Sequence, residues 1–270
     1  MGSALLIPQQ IIAEYNVKAK KSLGQNFLVC EKTLSDIFKI VKSLKLHNVL
    51  EIGPGVGSLT NLLLASQAQN IICVEKDDYI FSILKKYESD RLHFINDDAL
   101  SIDEDMLFKK EKYSIVANLP YNIGTTLLTK WIDQSGNIES MCLMFQKEVA
   151  ERIVASAGSS KYGTLSIFTQ LYFKAEILYE VPNTAFSPKP KVSSAIVLLS
   201  KLDSPRFIID NNKLEKYGKI IFSMRRKMLR KSLKNFLSNP DILLEKLNIS
   251  PTKRPEELSI EEFCCLINEL

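Results

Sequence analysis

Apolar and polar positions along the first two hundred residues switch repeatedly between two periods. Leu34, Ile37, Phe38, Val41 and Leu44 recur at helical spacing, which predicts an amphipathic helix over 31–45. Short apolar runs rich in β-forming residues follow: NVLEI (48–52), NIICVE (70–75), RLHFI (91–95), YSIVAN (113–118) and SMCLMF (140–145). Helical periodicity fills the gaps at 58–67, 77–87 and 123–134. Strands alternating with helices predict an α/β domain whose mostly parallel sheet is covered on both faces. The segment 147–171 reads as helical, and EILYEV and SSAIVLLS read as two later strands flanking the loop FSPKPKV (186–192). Past LDSPRF (202–207) the strand signal vanishes, and 210–270 reads as several short helices. The expected organisation is one α/β domain over 1–202 and a small all-α domain over 203–270.

The first strand runs into EIGPGVGSLT, with Gly53, Gly55 and Gly57 just ahead of a helix. Glycines there let the backbone approach a ligand closely. The spacing is G-x-G-x-G, and Ser58 stands where the dinucleotide fingerprint needs its third glycine. Glu51 closes the strand, and a carboxylate there repels pyrophosphate but tolerates an ammonium or sulfonium. Glu75 ends the second strand, placed to accept from both hydroxyls of a ribose. Asp98, in NDDAL after the third strand, is placed to accept from an adenine amino group. Ribose, adenine and a cationic group together describe S-adenosylmethionine better than a nicotinamide dinucleotide. The bland alternative is a glycine turn with solvated acids at strand ends. The ordered set of Glu51, three glycines, Glu75 and Asp98 argues against it.

The fourth strand ends in Asn118-Leu119-Pro120-Tyr121. Ligands of open α/β sheets sit at the carboxyl ends of the strands, so this end faces the transferable methyl group. An exocyclic adenine amine is a poor nucleophile because its lone pair is delocalised into the ring. Two acceptors aimed at its hydrogens favour a pyramidal nitrogen. The Asn118 carboxamide oxygen and the Leu119 carbonyl can supply them, with Pro120 stiffening the backbone and Tyr121 stacking on the base. A plain strand cap is the competing reading. Phe186 is a second aromatic candidate for the other face of the base, or else a core residue anchoring its loop.

Composition narrows the setting. A formal charge of +4 is mild, so nucleic-acid contact must come from local clustering. In SMRRKMLRKSLKNF (223–236), read as one helix, Arg226, Lys227, Arg230, Lys231 and Lys234 share an arc opposite Met228, Leu229, Leu233 and Phe236. Arg225 falls nearer the apolar side, paired or turned outward. The arc is either a solvated face or a phosphate-tracking surface, which Lys18, Lys20, Lys21, Lys189 and Lys191 could extend. Five cysteines (Cys30, Cys73, Cys142, Cys264, Cys265) form no C-x-x-C pair, and His47 and His93 are the only histidines. No metal site is expected, and reduced thiols suit a cytoplasmic protein. No run of eighteen apolar residues predicts a membrane helix, and MGSALLIPQQIIAEY lacks the pattern of a signal peptide.

Seven stretches carry a resemblance: KKSLGQNFL (20–28), EIGPGVGSLT (51–60), VEKD (74–77), DDAL (97–100), NLPYNI (118–123), FQKEVAERI (145–153) and FSPKPKVSSAIV (186–197). They resemble the rRNA adenine dimethyltransferase family, and within it the bacterial small-subunit branch, the KsgA/RsmA type. The resemblance spans about residues 18–200 and continues more loosely through FSMRRKMLRKSL (222–233) and KRPEELSIEEF (253–263). It implies a Rossmann-like class I methyltransferase fold and a helical RNA-contacting C-terminal domain. It also implies transfer of two methyl groups to N6 of each of two adjacent adenines, in the hairpin loop near the 3′ end of 16S rRNA. Gln25, Asn26 and Leu28 are implied to close over the cofactor, with Gly53, Glu75, Asp98 and Asn118 lining it and Lys76 and Ala99 beside them. The implied setting is cytoplasmic: a monomer acting on an immature small ribosomal subunit, without metal or membrane. Ser193 departs from the Asp that many members carry in P-K-V-D-S, which puts any contact at that position in doubt. The rivals are a resistance-type enzyme acting on large-subunit rRNA, a DNA adenine methyltransferase, and a non-catalytic subunit assembly factor. A helical tail of about 60 residues shows no duplex-recognition region, which disfavours the DNA enzyme.

Overall fold

The computed structural model describes residues 7–134 and 136–270, so the reading of residues 1–6 as free of a signal peptide lies outside the described residues. The chain divides into two units, one built from the chain up to Ala150 with Glu176–Ser200, the other from Glu151–Ala175 with Lys201–Leu270.

The strands are β1 (Phe27–Leu28), β2 (Asn48–Ile52), β3 (Asn70–Glu75), β4 (Leu92–Asn96), β5 (Tyr113–Asn118), β6 (Ile138–Gln146), β7 (Phe173–Val181), β8 (Phe186–Ser187) and β9 (Ser194–Lys201). Seven of them form one sheet in the order β4-β3-β2-β5-β6-β9-β7, while β1 and β8 make a separate antiparallel ladder. Pairing is parallel from β4 through β3, β2 and β5 to β6, and β9 runs antiparallel to β6. β2, β3 and β5 occupy the spans their apolar runs predict. All five residues of β2 are buried, as a strand covered on both faces requires. β4, at the sheet edge, alternates instead: Leu92 and Phe94 are buried and His93 is exposed.

The helices are α1 (Pro8–Glu14), α2 (Glu31–Ser43), α3 (Ser58–Leu64), α4 (Asp78–Leu84), α5 (Glu104–Leu107), α6 (Gly124–Asp133), α7 (Lys147–Ile153), α8 (Thr164–Tyr172), α9 (Asn211–Ser223), α10 (Leu229–Leu233), α11 (Pro240–Lys246) and α12 (Ile260–Asn268). α2 buries Ile37 and Val41 of the stripe its periodicity marks, with Thr33 beside them, while Leu34, Phe38 and Leu44 are half-buried. Strand order reverses between β2 and β5, which makes their carboxyl ends the switch point where ligands bind in such sheets. The fold is a Rossmann-like, mostly parallel sheet with helices on its faces and a helical C-terminal part.

Three expectations change. Residues 151–175 belong to the second unit rather than the first. There, Tyr172 Oη donates to Asn211 Oδ1 at 2.8 Å, and the amides of Leu202 and Arg206 donate to the carbonyls of Tyr172 and Leu171. Helical periodicity reveals a buried face but not the partner it buries against. The helix expected over 147–171 is broken into α7 and α8 by a loop holding Gly158, at φ +86°, and Gly163, the residue before α8. The single helix expected over 223–236 is also broken. Leu229 donates its amide to the Lys253 carbonyl at 2.7 Å, outside any helix ladder, and Arg225 pairs with Glu256 at 2.9 Å. Both tie the turn after α9 to the segment before α12.

Candidate active site

One cavity opens at the carboxyl ends of β2, β3, β4 and β5. Its lining includes Gln25, Asn26 and Leu28 from the N-terminal arm, Glu51, Gly53 and Gly55 from the first strand and loop, and Glu75 and Lys76 after β3. Asp98 and Ala99 line it after β4, and Asn118, Leu119, Pro120 and Tyr121 after β5. Sequence positions nearly a hundred apart thus meet because parallel strands deliver their ends to one edge.

The glycine loop is shaped by necessity. Gly55 has φ +56°, and a Cβ there would stand 3.1 Å from the Phe27 ring. Gly53 has φ +65°, yet a Cβ there would meet nothing within 4 Å, so the space beside its backbone is open to a ligand. Gly57 does not line the cavity. It forms the turn into α3 at φ +84°, with its amide donating to the Pro54 carbonyl at 2.9 Å.

Glu75 is only 5% exposed. Its Oε1 accepts from the Asp77 amide at 2.8 Å and its Oε2 from the Gly55 amide at 3.2 Å. Burial pushes its carboxyl above the ordinary range, and those two amides pull it partly back. Asp98 accepts from Lys76 Nζ at 2.6 Å and from the Leu100 amide at 3.0 Å. The Lys76 bond holds it below the ordinary carboxylate range. Both Asp98 oxygens keep a second lone pair for a ligand.

The arm is fastened across the rim at Asp77, a residue the sequence reading did not single out. Asp77, 3% exposed, accepts from Lys20 Nζ at 2.8 Å and from Gln25 Nε2 at 3.1 Å. Gln25 Oε1 accepts in turn from the Lys20 amide at 2.8 Å. Lys20 therefore serves the arm, not a free cationic surface. On the other side, Asn118 Nδ2 donates to the Asn26 carbonyl at 3.2 Å, which orients the carboxamide and leaves Oδ1 as an acceptor. Ile123 and Gly124 both donate their amides to the Pro120 carbonyl, at 3.1 and 3.0 Å. Tyr121 Oη shares a 2.7 Å hydrogen bond with Ser194 Oγ, which fixes the ring at the cavity wall.

The chain matches the ribosomal RNA adenine dimethylase family over residues 16–270. It is 41% identical over 263 residues to a ribosomal RNA small subunit methyltransferase A of Cereibacter sphaeroides, covering 96% of this chain and 94% of the relative. A relative of the same name from Wolbachia pipientis is 36% identical over 270 residues, covering 98% and 94%. The chain belongs to the ribosomal RNA adenine dimethylase family. A dimethyladenosine transferase from Plasmodium falciparum superposes with a TM-score of 0.75 at 29% identity, covering 90% of this chain and 96% of that one. The 23S rRNA methyltransferase ErmE superposes at 0.64 with 24% identity, which speaks to the fold alone.

The family's methyl donor is S-adenosylmethionine, and the residues present fit it. The open space at Gly53 admits an extended ligand, and Glu75 and Asp98 offer acceptors in the order its ribose and base need. Glu51 is more deeply held than its sequence position suggests. It is 1% exposed, and its Oε2 accepts from Thr60 Oγ1 at 2.7 Å and Cys73 Sγ at 3.3 Å. Burial pushes its carboxyl from 4.5 up to about 7. Below about pH 4.5 it is neutral both folded and unfolded. As pH rises to about 7 only the unfolded chain ionises it freely, so the group progressively subtracts stability, about 3 kcal/mol once above that value. Glu51→Gln should therefore match wild type in thermal unfolding at pH 4.5 and exceed it at pH 8. A difference independent of pH would contradict this assignment.

Besides Gly57, one expected position is not brought to the cavity. Phe186 is 4% exposed in the hydrophobic core, paired across the β1–β8 ladder with Leu28, so its ring anchors the loop rather than facing the cavity. The basic arc is not one helix face: Arg226 and Lys227 lie in the turn, Lys231 lies on α10, and Lys234 follows it, all exposed. Arg230 is half-buried, its guanidinium 3.7 Å from Met228 Sδ. Ser193, where the family often has Asp, accepts from the Lys147 amide through its carbonyl at 2.9 Å. Among the described residues no helix is long and apolar enough to cross a membrane.

Proposed function

We propose that this protein transfers methyl groups from S-adenosylmethionine to N6 of two adjacent adenines in the 3′-terminal hairpin loop of 16S rRNA. The reading makes each adenine N6,N6-dimethylated during maturation of the small ribosomal subunit. The observation that carries it is the strand end Asn118–Tyr121 sharing one cavity with the glycine loop and Glu75. The 16S assignment follows the names of the relatives.

When bound, S-adenosylmethionine supplies an electrophilic methyl on a cationic sulfur. Glu75 would accept from its ribose hydroxyls and Asp98 from its adenine amino group, and Gln25, Asn26 and Leu28 would close over it. Asn118 Oδ1 accepts one N6 hydrogen of the target adenine. The Pro120 carbonyl is already engaged by two amides, which leaves that of Leu119 for the other hydrogen. Pro120 limits how far that carbonyl can swing. Tyr121 lies against the base, a contact that contributes about 1–3 kcal/mol and offsets part of the unstacking cost. Methyl transfer leaves an acidic ammonium, so no strong base is needed, and the protein acts through orientation and preorganised acceptors.

Exposed Arg226, Lys227, Lys231 and Lys234 track phosphates in this reading. Reversing the charge of Arg226, Lys227 and Lys231 together should weaken RNA binding and lower the magnitude of the log–log salt slope by about 2. An unaltered slope removes these residues from the interface. The protein is read as a cytoplasmic monomer whose substrate is an immature subunit. Primer extension on both rRNAs from a deletion strain tests the substrate, because dimethylation arrests reverse transcriptase. Loss of the small-subunit stop is expected; its persistence, with a lost large-subunit stop, would favour the resistance-type enzyme.

A further inference from the structure

Lys130, in the second turn of α6, spends all three of its ammonium hydrogens on one segment. Its Nζ donates to the Ala99 carbonyl at 3.0 Å, the Ile102 carbonyl at 2.6 Å and Glu104 Oε1 at 2.9 Å. The next residue, Trp131, is fully buried and donates its indole N–H to the same Glu104 oxygen at 2.6 Å. The side chains of Lys130 and Glu104 are 16% and 3% exposed, so the pair is shielded from water and salt.

The two ends of this clasp belong to the two halves of the candidate site. The held segment begins at Ala99, beside Asp98, both of which line the cavity. The helix that holds it starts at Gly124, directly after the strand end Asn118–Tyr121, and is joined to that end by the Gly124 amide on the Pro120 carbonyl. Lys130 lies six residues further along, about 9 Å down the helix axis.

We infer that Lys130 is a positioning residue for methyl transfer, which fixes the Asp98–Ala99 loop relative to the helix carrying the Asn118–Tyr121 strand end. The inference rests on the proposed cofactor site. A neutral polar residue could satisfy one of the two carbonyls, but only a cation with several donors holds both carbonyls and the buried carboxylate together. Without it the loop loses three bonds at once and the buried Glu104 side chain keeps the Trp131 indole as its remaining donor.

The test uses the full-length protein and S-adenosylhomocysteine as the probe. Lys130→Met should raise the probe's dissociation constant about tenfold. It should also speed amide hydrogen exchange over residues 97–104 in the protein without probe, and leave affinity for the rRNA hairpin within twofold. Lys130→Arg, which keeps charge and several donors, should recover most of the loss. Because a lone buried carboxylate could unfold the single variant, Lys130→Met/Glu104→Gln is the control: it should stay folded and keep the tenfold loss. A folded double variant with wild-type affinity and wild-type exchange over 97–104 overturns the role of Lys130. Wild-type protein that binds no S-adenosylhomocysteine overturns the cofactor reading instead, and this inference with it.

Discussion

Asn118→Ala should lower the methyl-transfer rate about 10²–10³-fold and leave affinity for small-subunit RNA within twofold of wild type. The expectation comes from where the carboxamide sits and what already holds it. Its Nδ2 is bound to the Asn26 carbonyl at 3.2 Å, so the side chain is oriented before substrate arrives and its oxygen needs no reorganisation. A preorganised acceptor of this kind stabilises charge that develops on the amine only as the methyl is transferred, so its loss falls on the rate rather than on binding. Asn118→Asp is the informative companion. It keeps an acceptor but places a carboxylate against the Asn26 carbonyl in place of a donor. It should retain less activity than its isosteric shape suggests. Single-turnover kinetics with labelled cofactor separate the two effects, and an Asn118→Ala rate equal to wild type would remove the amine-acceptor mechanism.

Glu75→Ala should raise the cofactor dissociation constant by about 10²–10⁴-fold and also lower the unfolding temperature. Two losses combine. Hydrogen bonds from ribose hydroxyls to a charged acceptor contribute about 1.5–3 kcal/mol each, and both disappear. The amides of Asp77 and Gly55 lose their acceptor in a site that is 5% exposed, at about 1–3 kcal/mol for each buried N–H left unpaired. Glu75→Gln separates the terms: one oxygen still serves an amide, so stability should recover further than affinity. Calorimetric titration with S-adenosylhomocysteine beside a thermal melt reads both. Equal recovery of the two quantities would mean that Glu75 braces the glycine loop without contacting ligand.

The sheet was legible because its signals are local. Apolar runs with β-branched residues place β2, β3 and β5 to the residue, and the glycine loop and NLPY declare themselves by composition at strand ends. The polar fastening was not legible, because it joins residues far apart in sequence that share no periodicity. The Asn26–Asn118 bond spans 92 positions, Lys20 reaches Asp77 across 57, and Tyr121 reaches Ser194 across 73. Thr60 and Cys73 around Glu51 read as an ordinary helix threonine and a core thiol until the fold brings them together. The helix break near 158 was legible in the turn composition SAGSSKYG (156–163) and was passed over. Near 228 amphipathic spacing persists, but the backbone at Leu229 bonds to Lys253 instead of continuing the ladder. Phe186 shows the converse: an aromatic in a Pro-rich loop suits a base-stacking role on paper, and its burial places it in the core.

The proposed reaction is adenine N6 dimethylation of small-subunit rRNA, with Asn118 as an acceptor for the amine. Its most direct test is incubation of unmethylated small subunits with the protein and methyl-labelled S-adenosylmethionine, followed by digestion and nucleoside analysis, with Asn118→Ala alongside. Label is expected in N6,N6-dimethyladenosine, in two such nucleosides per subunit, and almost none with the variant. Label in another nucleoside, or equal labelling by Asn118→Ala, would contradict it.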